Sequence, residues 1–234
     1  MPVKTLFRKM VSIRLFILVF VINILNDILS IYEASGIKNG ALVYENTNFL
    51  FDKYFCVQIS VISYTVYISL LGIIILSVIN SVNEDNQKHG IFYITRLGRK
   101  KYAAGKITAV ALFVFIMCFI AVFQSFAAHR LAGIELHCKQ YLNVLAAFYL
   151  TALLGSTLGL FSYFFIKQAQ IAFLISMIEI TAFSVYLSTT KSTVPTVDSI
   201  PIIFVFQVIP SLVFMILFYL LTFRNDFITT KIKE

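Results

Sequence analysis

The stretch Ile107–Ala128, ITAVALFVFIMCFIAVFQSFAA, contains no Asp, Glu, Lys or Arg. About 20 mostly apolar residues in a helix cross roughly 30 Å of hydrocarbon, and this run is long enough. Outward from it the pattern repeats. Residues 54–83, 140–166 and 199–223 are also free of those four residue types, 168–190 holds only Glu179, and 15–32 holds only Asp27. Charged residues make up 13% of the chain, against about 25% in soluble domains. The expected fold is an all-α membrane protein of six transmembrane helices, near 12–32, 57–80, 104–128, 142–166, 171–190 and 200–222. The chain forms one transmembrane domain over 1–234, with no room for a soluble catalytic domain.

The net charge of +8 sits mostly on one side. With both termini placed in the cytoplasm, the inner segments carry fourteen Lys and Arg residues and the outer loops five. This is the positive-inside distribution. It explains the basic residues by orientation and by attraction to anionic lipid of the bilayer, so no nucleic-acid partner is needed. The start, KTLFRKMVSIRLFILVFVINIL, has a basic head and an apolar run, but no small-residue cleavage site follows, and it is expected to be an uncleaved first span. Cys56, Cys118 and Cys138 are expected to be unpaired small hydrophobes rather than a disulfide framework.

Within the spans a few polar residues stand out. Asn23, Asn26 and Asp27 share one face of the first span. Asp27, near the outer end, either reaches the headgroups or makes a polar contact inside the bundle. Ser60, Ser63, Tyr64 and Tyr67 recur at helical spacing in the second span, suited to interhelical hydrogen bonds or to lining a path. Thr151, Gly155 and Gly159 form a small-residue stripe in the fourth span, a groove for close approach of a helix of the same chain or another. The turn KQAQ is short enough to make spans four and five antiparallel neighbours. Glu179 falls about 12 Å into span five. A carboxylate at that depth is either functional or a hydrogen-bonded packing residue. Asp27, Glu179, Tyr64 and Tyr67 are the pathway candidates. Pro210 should kink the sixth span.

Enzyme chemistry finds no support. Neither HExxH nor GxSxG occurs. His129, His137 and Cys138 match no standard zinc spacing and read as a polar surface loop, so no metal site is expected. GRKKYAAGK departs from the phosphate-binding loop: Gly98 is seven residues before Gly105, and Ile107 follows the lysine where Ser or Thr is required.

The segment Glu84–Lys106, EDNQKHGIFYITRLGRKKYAAGK, gathers six of the 19 basic residues between two apolar runs. Drawn as a helix, it places Arg96, Arg99 and Lys100 on one arc and Ile91, Ile94 and Leu97 on the opposite one. That pattern suits either a headgroup-bound basic loop or a surface that docks on a partner protein.

Here the chain resembles the permease subunits of ABC-2-type transporters. They have six spans, inside termini and a cytoplasmic segment between spans two and three. Its acidic start, glycine, apolar stretch, arginine and final Gly-Lys look like Glu84 and Asp85, Gly90, IFYIT, RLGRKKY and Gly105–Lys106. The GRKKY form is similar to small permeases of Gram-positive bacteria linked to peptide or bacteriocin export and immunity. Many members have Pro before the Arg, where this chain has Leu97–Gly98.

The resemblance implies a multi-pass protein of the bacterial cytoplasmic membrane and a coupling segment at 84–104. Its residues would be Glu84, Asp85, Gly90, Ile91, Ile94, Arg96, Leu97, Arg99, Lys100 and Lys106. A separate ABC ATP-binding subunit would carry ATP and Mg, leaving no cofactor and no catalytic residue on this chain. A second permease chain, identical or not, would complete the pathway. The cargo class implied is peptides or other amphipathic compounds. The competing expectation is a membrane immunity protein that acts by sequestration and transports nothing.

Overall fold

The computed structural model describes residues 2–38, 61–85, 98–133, 138–190 and 200–224. Among them are seven helices and no strands: α1 (Pro2–Met10), α2 (Ile13–Lys38), α3 (Val61–Glu84), α4 (Arg99–Leu131), α5 (Cys138–Ile166), α6 (Ala169–Thr190) and α7 (Ile200–Arg224). Four contain stretches long and apolar enough to cross a membrane: Ile13–Tyr32, Tyr67–Glu84, Arg99–Leu131 and Tyr141–Ile166. In α6 and α7 the apolar stretches among the described residues, Ala169–Ala182 and Gln207–Thr222, are shorter.

The layout follows from which helices are apolar all round. In α5 the eight residues from Leu150 to Thr157 are all buried. A stretch of helix buried all round belongs at the centre, and α5 packs on α3, α4, α6 and α7. The helix α2 packs on α3 and α4 at the edge. It turns Ile13, Ile17, Phe20, Leu25 and Ile28 outward. Phe119 and Phe123 of α4, Ile178 of α6 and Ile216 of α7 are exposed as well. Monomeric soluble proteins do not carry an apolar exterior on this scale. The chain is a membrane-embedded helical protein.

The small-residue stripe of α5 faces its own chain. A Cβ on Gly155 would stand 2.6 Å from Ile75 Cδ1 of α3 and 2.5 Å from Ile180 Cδ1 of α6. One on Gly159 would meet Ile79 Cδ1 at 2.6 Å and Ser176 Oγ at 2.9 Å. Thr151 accepts a hydrogen bond of 2.8 Å from Gln207 Nε2 of α7. Together these residues let three neighbours close on α5.

Two breaks were not foreseen. The first span does not begin the helical structure: α1 precedes it, and the chain turns at Val11–Ser12, where Ser12 Oγ caps α2 by accepting from the Leu15 N–H at 3.1 Å. The helix α4 starts at Arg99 and not near 104, and it ends at Leu131 and not near 128. Its 33 residues make it about 50 Å long, well beyond the hydrocarbon thickness. Gly98 starts it with φ 77° and ψ 146°, a conformation that other residues adopt only under strain. Between α5 and α6 the turn is Lys167–Gln168, and Lys167 holds φ 55° to make it.

Candidate functional site

Asp85, the residue after α3, is where three helices meet. Its Oδ2 accepts from Lys106 Nζ at 2.7 Å and from the Tyr102 hydroxyl at 3.0 Å, both on α4. Its Oδ1 accepts from Lys9 Nζ of α1 at 2.7 Å. Lys106 also donates to Ser81 Oγ at 2.9 Å, and that hydroxyl donates to the Val78 carbonyl at 2.6 Å. One turn of α3 thus supplies both an acceptor for the ammonium and its counter-charge. Close by in sequence, Asn83 Oδ1 accepts from the Tyr163 hydroxyl of α5 at 2.8 Å. The end of α3 is fastened to α1, α4 and α5.

Burial makes this cluster more than a surface ion pair. Lys106 and Asp85 are 0% and 1% exposed. A buried ammonium is tolerated only when it is paired and hydrogen-bonded, as this one is. Burial pushes the Asp85 carboxyl upward, but the charges and hydrogen bonds of Lys106 and Lys9 outweigh it and hold it below the usual carboxylate range.

Asp85 and Lys106 bracket the segment read as a coupling loop. Of its other candidate residues, Glu84 ends α3 in an exposed position, and Arg99 and Lys100 form the first turn of α4, half-buried and exposed. Gly90, Ile91, Ile94, Arg96 and Leu97 lie outside the described residues. The C-terminal part of the segment is therefore helix, continuous with the span. Lys106, expected among the coupling residues at the entry to the third span, is fully enclosed.

A second polar cluster joins α2 to α4. Asp27 does not extend to the headgroups: it is 3% exposed, and Ser125 donates to its Oδ1 at 2.7 Å. Asn23 Nδ2 donates to the Ala121 carbonyl at 2.8 Å. His129 is not in a surface loop either. It lies in the last turns of α4, buried. Its Nδ1 is 2.7 Å from the Ser125 carbonyl, which can only accept, so Nδ1 donates there, and Nε2 lies 3.0 Å from the Ser30 hydroxyl. This cluster makes an interhelical lock. No group of three or more His, Cys, Asp or Glu residues suited to a metal occurs among the described residues.

The three pathway candidates with described side chains, Asp27, Tyr67 and Glu179, stand on three different helices, α2, α3 and α6. Asp27 borders a groove of about 500 Å³ between α2 and α4, walled by Phe20, Ile24, Phe119 and Phe123. Tyr67 is buried on α3, with its ring tilted against Phe148 of α5 at 6.0 Å. Glu179 is half-buried on α6, and its Oε2 is enclosed without a hydrogen-bond partner among the described residues. Tyr64 is on α3, and its side chain lies outside the described residues.

Lys9, Ser81 and Tyr102 were missed as members of the site. For Lys9 the signal existed: Val3, Leu6, Phe7 and Met10 recur at helical spacing and mark an amphipathic helix that carries Lys9 on its flank. The chain matches no protein-family model, no curated protein and no solved structure.

Proposed function

We propose that this chain is the membrane-spanning permease subunit of an ATP-driven exporter of the ABC-2 type. It would have six spans, with both termini and residues 84–104 in the cytoplasm of a bacterial cell. A separate ATP-binding subunit hydrolyses ATP, and a second permease chain completes the pathway. The cargo is peptides or other amphipathic compounds.

The observation that carries the reading is the clasp at the two feet of the 84–106 segment. A loop that only anchors topology needs basic residues in water and nothing more. Here the helix before the segment and the helix after it are tied by a buried Asp85–Lys106 pair at 2.7 Å, with α1 joined through Lys9. A push on the segment therefore moves α3, α4 and α1 as one body. That is the mechanical property a coupling segment needs, since a slack loop would absorb the displacement. The half-exposed apolar groove between α2 and α4 also fits a cargo that partitions into the bilayer.

The test is to purify the tagged chain from its native membrane, ask whether an ATP-binding subunit accompanies it, and measure hydrolysis by the complex in lipid vesicles. A stoichiometric ATPase partner supports the reading. A chain that purifies without one returns the function to sequestration.

A further inference from the structure

We infer that α1 is a lipid-reading helix: its outer face binds anionic phospholipid headgroups, and Lys9 passes that binding to the clasp at Asp85. The helix is two-sided. Leu6 and Met10 are buried, and the Phe7 ring packs edge-on against Phe113 of α4 at 6.3 Å. Lys4, Thr5 and Arg8 are exposed on the other side. Directly beyond the Val11–Ser12 corner, Ile13 is 78% and Ile17 58% exposed. Apolar side chains that far out mark the start of hydrocarbon, so Lys4, Arg8 and the exposed Arg14 stand at headgroup level. A basic face there is complementary to anionic headgroups.

Lys9 differs from its neighbours. It turns inward, and its Nζ reaches Asp85 Oδ1 at 2.7 Å. Only 17% of its side chain is exposed. The same nine-residue helix thus carries cations toward the membrane surface and one cation into the clasp. Headgroups held by Lys4 and Arg8 pin α1 against α4 and keep Lys9 on Asp85. Loss of anionic lipid frees α1 to leave, and the clasp loses one of its two cations.

The test uses the full chain in nanodiscs of phosphatidylcholine alone or mixed with phosphatidylglycerol. Two quantities are read: phosphatidylglycerol enrichment around the protein, and the rise in Tm that it produces. Wild type should show both. Lys4→Gln with Arg8→Gln should keep the Tm seen in phosphatidylcholine and lose enrichment about 30-fold, the ratio two basic residues convey at an anionic surface. Lys9→Gln should keep wild-type enrichment and lose the lipid-dependent rise in Tm. If the double variant does not fold, each single Gln variant should lose enrichment several-fold, and Lys4→Arg with Arg8→Lys should retain it.

Full enrichment in the Gln variants, or a full Tm rise in Lys9→Gln, would overturn the proposal. Equal behaviour of wild type in both lipids would also overturn it and leave the basic face to an acidic partner protein. No ATPase is needed, so failure here leaves the transport reading standing.

Discussion

Lys106 Nζ lies 2.7 Å from Asp85 Oδ2, and neither side chain is more than 2% exposed. They stand 21 positions apart in the chain, at the two feet of the segment proposed above to couple to an ATPase. Removing one partner of a buried pair leaves an uncompensated charge, at about 3–5 kcal/mol. The two removals should differ. Asp85→Asn removes the counter-charge that Lys106 and Lys9 share, whereas Lys106→Met leaves Asp85 with Lys9 and the Tyr102 hydroxyl. Asp85→Asn should therefore be the worse variant in thermal unfolding in detergent. The double variant should be more stable than Asp85→Asn alone. A double variant whose loss equals the sum of the singles would show that the pair is not coupled.

The same pair has a pH signature. The folded Asp85 carboxyl titrates below its unfolded counterpart because Lys106 and Lys9 outweigh the effect of burial. Its contribution is therefore complete above the ordinary carboxylate range and is lost as pH falls through the lowered folded value. Wild type should lose more Tm on acidification than Asp85→Asn does. Parallel Tm curves for the two proteins would count against the clasp.

The glycine stripe of α5 makes a packing prediction. Gly159→Ala puts a methyl group 2.6 Å from Ile79 Cδ1. Overpacking of this kind costs about 1–3 kcal/mol. Ile79→Val deletes that Cδ1 and should restore part of the loss in the double variant, read as Tm. Gly72→Ala should be milder, since its nearest neighbour, Phe173 Cζ, would be 3.3 Å away.

Membrane sidedness can be checked in intact cells. A single cysteine at position 88 should react with an impermeant reagent only after the cells are opened, because fourteen of the basic residues then lie inside. Ready labelling of intact cells would invert the topology.

What could be read from sequence followed the range of the interactions involved. The runs around Leu70–Val82 and Leu150–Leu160 announce themselves locally, because crossing hydrocarbon is a matter of length and missing charge. The Gly155–Gly159 groove was also visible, although spacing could not say that Ile75, Ile79 and Ile180 of the same chain fill it. The clasp was hidden for a different reason. Asp85 was noticed at the start of the coupling segment and Lys106 at its end, but pairing across a segment has no periodicity, and Lys9 comes from 76 residues away. For Asp27 the sequence left two readings open, since only its partner Ser125 on α4 decides between them, and His129 was misplaced because α4 runs past Ala128 and still faces α2 there.

Whether the 84–104 segment couples this chain to an ATPase, as proposed, is read by replacing Ile91, Ile94 and Leu97 together with Ser. The structure of these residues lies outside the described part of the chain; in sequence they share one arc of a helix, the face that the proposed function assigns to docking. Burying such side chains contributes about 1.5–3 kcal/mol each, so losing three should remove most of the affinity. The measurement is co-purification of the ATP-binding subunit with the triple variant, alongside its Tm and its insertion. The expected result is a normally inserted chain with wild-type Tm, an intact Asp85–Lys106 clasp and no bound ATPase. A triple variant that still carries its ATPase at the wild-type level would reduce the segment to a topological anchor.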